Sequence, residues 1–117
     1  AIQLVSEEMN VSIPEYTVVG EPHGNFFAHH WYIACDDRIN ADTLKTKIDD
    51  ALKYINDDYA VERGSALKDV FLTILPESSF MEFMKLKGKV GGQHKFPRVL
   101  KGKMLEDWKR FLETGKA

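Results

Sequence analysis

A lysine flanked by backbone-shaping residues carries the strongest chemical signal in this chain of 117 residues. Gly91 and Gly92 precede Lys95, and Pro97 follows it. Glycine adopts backbone angles that strain other residues, whereas proline fixes its own φ and pushes the preceding residue toward an extended conformation. The pattern therefore predicts a shaped loop that presents Lys95. Because further lysines lie upstream in a chain of net charge −2, this basic segment favours an anionic partner such as phosphate.

The lysine belongs to a longer motif, Gln-His-Lys-Phe-Pro-Arg at residues 93–98. This motif resembles the closing motif of the auxin-responsive promoter family of acyl-acid amido synthetases. In that family, glutamine, an aromatic residue, lysine, a variable residue, proline and arginine follow one another. Three upstream segments resemble the C-terminal domain of the family in matching order. They are residues 15–18, the stretch from Tyr59 to Arg63, and residues 70–80.

Two departures from the family pattern point to a distant, bacterial-type member. His94 stands where tyrosine is usual, and Glu77-Ser78 stands where proline-glycine is usual. The resemblance implies that residues 1–117 form a single domain, the mobile C-terminal domain of a larger two-domain ligase. The start at Ala1 rather than methionine is interpreted as the start of an excised domain.

The resemblance also implies chemistry. In the family, an acid reacts with ATP to form an acyl-adenylate, and an amine then displaces AMP. Lys95 is the catalytic candidate, because a cation in a water-poor cleft offsets the repulsion between the carboxylate and the α-phosphate. Gln93, His94 and Arg98 are the candidates for substrate or phosphate binding. Arg98 is alternatively predicted to pair with an acidic neighbour and so to pin the loop.

The implied cofactors are ATP and magnesium, bound by the full-length enzyme and not by this chain alone. A P-loop needs lysine followed by serine or threonine, whereas Lys89 precedes valine and Lys95 precedes phenylalanine. The implied partners are the N-terminal nucleotide- and acyl-binding domain of the same polypeptide and small-molecule acid and amino acid substrates.

Composition places the chain among soluble globular domains, with 44% hydrophobic and 29% charged residues. The single cysteine, Cys35, cannot form an internal disulfide, which favours a reducing compartment and is interpreted as a cytoplasmic location. The slightly acidic charge argues against a general nucleic-acid binder. The apolar runs are too short for a membrane span, so no membrane partner is expected.

Hydrophobic periodicity predicts an α+β fold, a small mixed β-sheet with helices packed on it, in the order αββαβαβα. The predicted extended segments are residues 16–20, 26–35, 70–75 and 98–100. The first two form an antiparallel hairpin, and the second is central and covered on both faces. Helices are predicted near residues 2–9, from an Asn40 cap to about 56, from a Ser79–Glu82 capping box, and through 105–112 to a Gly115 cap.

The remaining chemically suggestive residues have simpler interpretations. Lys85, Lys87 and Lys89 form a solvated charge run, and Arg63 is structural. His29 and His30 point to opposite faces of a strand and cannot share an ion, so no metal site is expected. Cys35 is interpreted as a small buried hydrophobe. A core role is predicted for the large aromatic residues Trp31, Tyr32, Trp108 and Phe111.

Two further functions stay open beside the ligase domain. One is a free-standing α+β ligand-binding or regulatory module that self-associates through its sheet. A basic RNA-binding module ranks third, because the chain is acidic and lacks an aromatic RNA-binding signature. No local serine-histidine-acid signature is visible in the sequence, which leaves only a triad assembled from distant segments.

Overall fold

The computed structural model describes residues 2–88 and 96–115. Within these residues three strands form one mixed sheet, in the order β1-β2-β3. The elements in chain order are α1 (Ile2–Met9), β1 (Glu15–His23), β2 (Phe26–Ala34), α2 (Ala41–Ile55), α3 (Asp57–Gly64), β3 (Leu67–Leu75), α4 (Glu77–Leu86) and α5 (Gly102–Thr114). The predicted α+β fold with a small mixed sheet is confirmed.

The central strand β2 pairs in opposite directions with its two neighbours. Strands β1 and β2 form the predicted antiparallel hairpin around Gly24 and Asn25, where Gly24 adopts the left-handed φ of 63° that the tight turn requires. Strand β3 runs parallel to β2, and α2 and α3 supply the crossover that a parallel pair needs.

A short extended segment extends the sheet beyond β1, as predicted for residues 98–100. Val18 and Val99 form a parallel bridge. The Val18 N–H donates to the Arg98 carbonyl at 2.9 Å, and the Leu100 N–H donates to the Val18 carbonyl at 3.1 Å. The chain that follows the lysine motif is therefore held at the edge of the sheet.

The two faces of the sheet are covered by different helices and different kinds of apolar side chain. On the aromatic side, α4 and α5 pack against Val19, Tyr32 and Ala34. This cluster also contains Phe80, Phe83, Met84, Phe96, Leu100, Trp108 and Phe111. On the aliphatic side, α1 and α2 pack against the opposite face of β2. That cluster contains Ile2, Val5, Trp31, Ile33, Cys35, Leu44, Ile48 and Val70. The predicted burial of the large aromatic residues and of Cys35 is confirmed.

Helix α2 begins as predicted, since the Asn40 side chain accepts from the Thr43 N–H at 3.0 Å. Its apolar residues Leu44 and Ile48 are buried, whereas Ile55, at the last helical position, is half exposed. At the other end of the chain, Gly115 closes α5 with a left-handed φ of 76°, as predicted.

Helix α3 was not predicted from the sequence. Asn56 ends α2, and its side chain also accepts from the Tyr59 N–H at 3.1 Å and so begins a new helix immediately. Asp57 and Asp58 lie in the first turn of that helix, where the helix dipole favours negative charge. The polar segment that resembles a helix end is therefore the junction of two helices.

Two other element starts differ from the sequence prediction. Strand β3 begins at Leu67, three residues before the predicted start, because residues 67–69 continue the pairing with β2. Helix α4 begins at Glu77, after Pro76, and shows no side-chain cap. The Ser79 N–H donates to the Pro76 carbonyl at 3.0 Å, which places Ser79 inside the first turn and rules out its predicted capping box.

Candidate functional site

The segment before the lysine motif is fixed to α5 by a charge cluster. Lys87, just beyond α4, pairs with the carboxylate of Asp107, whose side chain is only 2% exposed. Lys103 and Arg110 approach the same carboxylate at 3.0 and 3.4 Å. Hydrogen bonds from Lys87 and then Lys103 are the main reasons that the pKa of Asp107 falls to about 2. The prediction that Lys87 is a solvated member of a charge run was therefore wrong, although Lys85 is exposed.

Within the motif, the residue after Lys95 is anchored in the core: Phe96 is only 2% exposed. Its ring packs edge-on against Phe80, with 4.9 Å between ring centroids, and against Trp108 at 5.0 Å. Trp108 lies one residue after Asp107 on α5. One turn of α5 therefore holds the chain on both sides of residues 89–95.

Arg98 lies two residues beyond Phe96 and interacts with the start of β1. Its guanidinium pairs with the Glu15 carboxylate and donates to the Tyr16 carbonyl at 3.1 Å. The same group lies 4.1 Å from the centroid of the Tyr16 ring, in cation–π range. The pairing with an acidic neighbour is thus observed. The Arg98 side chain nevertheless remains 45% exposed, so a role in substrate binding stays a prediction.

The other candidates of the motif, Gln93, His94 and Lys95, lie outside the described residues, as does Lys89. Their predicted roles stay predictions. Phe96 is the next residue after Lys95, so the catalytic candidate is one peptide bond away from a buried anchor. The described part of the site therefore consists of Lys87, Phe96 and Arg98, which lie in the chain on either side of residues 89–95.

A second charge cluster joins the helices of the crossover. The Asp49 carboxylate accepts from the Tyr59 hydroxyl at 2.6 Å and from Arg63 Nε at 2.9 Å. Arg63 also donates to the Leu67 carbonyl at 2.9 Å and so ties α3 to the start of β3. Burial by itself would raise the pKa of Asp49, but these hydrogen bonds outweigh burial and lower the pKa overall. The structural interpretation of Arg63 is confirmed.

The sheet also assembles a polar group that sequence reasoning did not find. Glu21, His30 and Thr73 come from three different strands and meet on the aromatic side. The two nitrogens of the His30 ring lie 2.8 Å from Thr73 Oγ1 and 3.6 Å from the Glu21 carboxylate. No local sequence signal could have revealed the group, because only strand register brings its members together.

Protonation of His30 is disfavoured in the fold. Burial lowers the pKa of His30, and the attraction of Glu21 opposes this effect without reversing it. The tautomer of the neutral ring with its proton on Nδ1 matches these neighbours, since that proton faces the acceptor-only carboxylate and Nε2 is left to accept from the Thr73 hydroxyl. His29 points to the opposite face, as predicted, and its pKa is lowered by burial and by Arg63.

Among residues 2–88 and 96–115, no three histidine, cysteine, aspartate or glutamate side chains converge on a position that could hold a metal ion. In the same part of the chain, no helix combines the length and apolar character needed to cross a membrane.

The described residues form a small α+β domain in which Arg98, the last residue of the motif, lies at one sheet edge. Residues 1–103 match the GH3 family C-terminal domain, so the chain belongs to this family. This match confirms the resemblance to acyl-acid amido synthetases. No curated protein matches the sequence.

Solved structures show the same fold. One, described as "AtGH3.15 acyl acid amido synthetase in complex with 2,4-DB", aligns over 92% of this chain and 21% of its own, with a TM-score of 0.68 and 14% identity. Another, "GH3.15 acyl acid amido synthetase", aligns over 92% and 22%, with a TM-score of 0.62 and 15% identity. The present chain thus spans about a fifth of the length of these proteins.

Proposed function

We propose that this chain is the C-terminal domain of an ATP-dependent acyl-acid–amino acid ligase and that it contributes Lys95 to adenylation in the full-length enzyme. The observation that carries the proposal is the family match over residues 1–103, which includes the complete motif at 93–98. The fold agrees with it, because Lys87 and Phe96 are anchored on α5 and in the aromatic cluster, before residue 89 and after residue 95.

The proposed reaction has two steps. A carboxylate oxygen of the acid attacks the α-phosphorus of ATP, and the bond from this phosphorus to pyrophosphate breaks. The nitrogen of an amino acid then attacks the acyl carbon, AMP leaves with the bonding electrons, and the nitrogen loses a proton. ATP, magnesium and the acid are held mainly by an N-terminal domain of the same polypeptide.

Lys95 acts in the first step, where two anions must approach each other. A preorganised cation that meets the developing charge in a water-poor cleft stabilises this transition state more than bulk water does. The cation must already be in place, and Lys95 directly precedes the buried Phe96 in the sequence. In the second step the two reactants are no longer both anions, so the same cation contributes less.

The test replaces Lys95 with alanine in the full-length enzyme. We expect acid-dependent exchange of pyrophosphate into ATP to slow by about 10²-fold or more, because one electrostatic contact to the transition state is lost. Attack of the amine on a supplied acyl-adenylate should slow less. Lys85→Ala is the matched control, since Lys85 is an exposed lysine on α4. Normal pyrophosphate exchange by Lys95→Ala would show that the motif is only a structural loop.

A further inference from the structure

Strand β3 is an outer strand of the sheet, and part of its backbone has no partner. The Cys35 N–H donates to the Leu75 carbonyl at 3.0 Å, so the backbone groups of Leu75 point toward β2. Because backbone groups alternate in direction along a strand, those of Leu72 and Ile74 point away from β2. Among the described residues, no strand pairs with this outer side of β3. The edge therefore offers donors and acceptors to another strand.

The two halves of this edge differ in how well they are protected from such pairing. In the first half, the Asp69 side chain accepts from the Val70 N–H at 2.8 Å, and the pairing with β2 shifts register at Lys68. Charged side chains and bulges are common protections of edge strands. Residues 70–75, in contrast, have the sequence Val-Phe-Leu-Thr-Ile-Leu, without charge, proline or glycine. An uncharged run of strand-forming residues at an open edge favours pairing with another strand.

A groove beside this edge has room for an aromatic ring. Its volume is about 500 Å³, and its lining includes Glu21, His30, Phe71 and Thr73 on the aromatic side. The Glu21 carboxylate lies 3.8 Å from the Lys109 ammonium, and burial favours the neutral His30 ring, so these groups leave no uncompensated charge. Phe71 itself is exposed, with its ring 6.2 Å from the ring of His30. The edge thus carries both a projecting ring and an open groove.

An antiparallel pair of two β3 strands matches all of these features. With Leu72 opposite Leu72 of a second copy, two outward-facing residues form a hydrogen-bonded pair, and the Ile74 N–H of one copy reaches the Val70 carbonyl of the other. Phe71 then lies opposite Thr73 in a non-hydrogen-bonded pair, where side chains are closest. Because both side chains lie on the aromatic side, the ring of each copy enters the groove of the other. The contact is the same from both copies, as twofold symmetry requires.

We propose that the outer edge of β3 is a self-association surface, on which a second copy of this chain adds its own β3 in antiparallel orientation. The pairing joins two three-stranded sheets into one sheet of six strands. Residues 98–100 lie at the opposite edge, about 14 Å away at ~4.8 Å per strand. The surface is therefore separate from Arg98, and the proposal does not depend on ligase activity.

Sedimentation velocity over a range of concentrations, for the purified chain and for the full-length enzyme, tests the proposal. We expect both to change from monomer to dimer as concentration rises. Phe71→Glu should weaken the dimer about 100-fold, because twofold symmetry removes two rings and adds two charges. The control is Phe26→Glu, which replaces another exposed phenylalanine at the start of β2 and should leave the dimer unchanged. A monomer at every concentration, or equal weakening by the two variants, would overturn the proposal.

Amide hydrogen exchange identifies the edge and what covers it. We expect the Leu72 and Ile74 amides to exchange more slowly at high than at low protein concentration, whereas the Phe71 and Thr73 amides, which face β2, should be protected at both. Exchange of Leu72 and Ile74 that ignores concentration in a dimer would place the interface elsewhere. A monomeric full-length enzyme in which both amides are protected would mean that another part of the polypeptide covers the edge. Either result would overturn the proposal, and circular dichroism checks that each variant is folded.

Discussion

Each side of the sheet buries an apolar cluster, but the two clusters differ in what they support. The aliphatic side packs α1 and α2 around Leu44 and Ile48, which lie far along the chain from the lysine motif. The aromatic side is built around Trp108 and includes Phe96, the residue after the catalytic candidate Lys95. On the aliphatic side, a substitution should therefore change stability without changing the proposed chemistry. On the aromatic side, a substitution at Phe96 should change both.

Truncation of Phe96 is expected to have the largest effect, and it tests whether the aromatic and aliphatic sides differ in their role. Phe96→Ala should lower the free energy of unfolding by about 3–5 kcal/mol, and Ile48→Ala by about 2–5 kcal/mol, because both create cavities at buried positions. Urea unfolding of the chain measures both costs. In the full-length enzyme, only Phe96→Ala should also slow pyrophosphate exchange per folded molecule. Equal exchange rates in the two variants would remove the distinction between the sides.

The sequence predicted the fold class and most of the helices and strands, and the exceptions have physical causes. Periodicity identified α5 and the central strand, because one stripe or both faces of these elements are buried. Helix α3 was missed, because its Asn56 cap lies in a run of polar residues that also ends a helix. The start of β3 depends on its pairing with β2, and the start of α4 depends on Pro76. Neither start follows from the local pattern of apolar residues.

The candidate site was predicted less completely than the fold. The glycines, Lys95 and Pro97 are local signals that a motif can carry. The Lys87–Asp107 pair joins residues 20 positions apart, and Arg98 meets Glu15 across 83 positions. Lys103 and Arg110 lie within about one helical turn of Asp107 on α5, so they are the members of the charge cluster that are close to it in sequence. Contacts between distant segments require the tertiary fold, so the residues that fix the motif could not be found from spacing.

A smaller effect is the pH dependence of stability that arises from two adjacent histidines, one on each side of the sheet. His29 faces the aliphatic side and His30 the aromatic side, and the fold lowers the pKa of each below its ordinary value of 6.5, chiefly by burial. The unfolded chain therefore binds more protons as pH falls below 6.5, so stability is full above that pH and declines below it. The carboxylates Asp49 and Asp107 affect stability in a separate range, below pH 3.8. Because the fold lowers their pKa values, their contribution to stability is present above pH 3.8 and is lost as the pH falls below it.

NMR titration of the two imidazole rings measures this effect directly. We expect apparent pKa values below 6.5 for both rings. Glu21→Gln should lower the pKa of His30 further, because it removes the attraction that opposes burial, and should leave His29 unchanged. The control is His23, on β1. If Glu21→Gln changed the pKa of both rings, the two sides of the sheet would be electrostatically coupled.

The smallest expected effect concerns the sheet edge, where Arg98 meets Glu15 and Tyr16 outside both cores. Because the Arg98 side chain is 45% exposed, the ion pair should contribute only about 0.2–1 kcal/mol to stability. Arg98→Lys keeps the charge but loses the planar guanidinium that pairs with the carboxylate and stacks on the Tyr16 ring. Glu15→Gln removes the same ion pair from the other partner. A double-mutant cycle in urea unfolding isolates their coupling.

The same two variants decide whether Arg98 does more than hold the edge. If its only role is to pin the chain after Pro97, Arg98→Lys and Glu15→Gln should slow pyrophosphate exchange equally in the full-length enzyme. If its exposed donors also bind phosphate, Arg98→Lys should slow exchange more, because lysine cannot reproduce bidentate binding. We expect the second result, since the guanidinium keeps exposed surface beside the anchored motif. Equal exchange rates in Arg98→Lys and Glu15→Gln would mean that Arg98 only holds the fold. Lys95 would then be the remaining charged residue of the motif that could bind an anion.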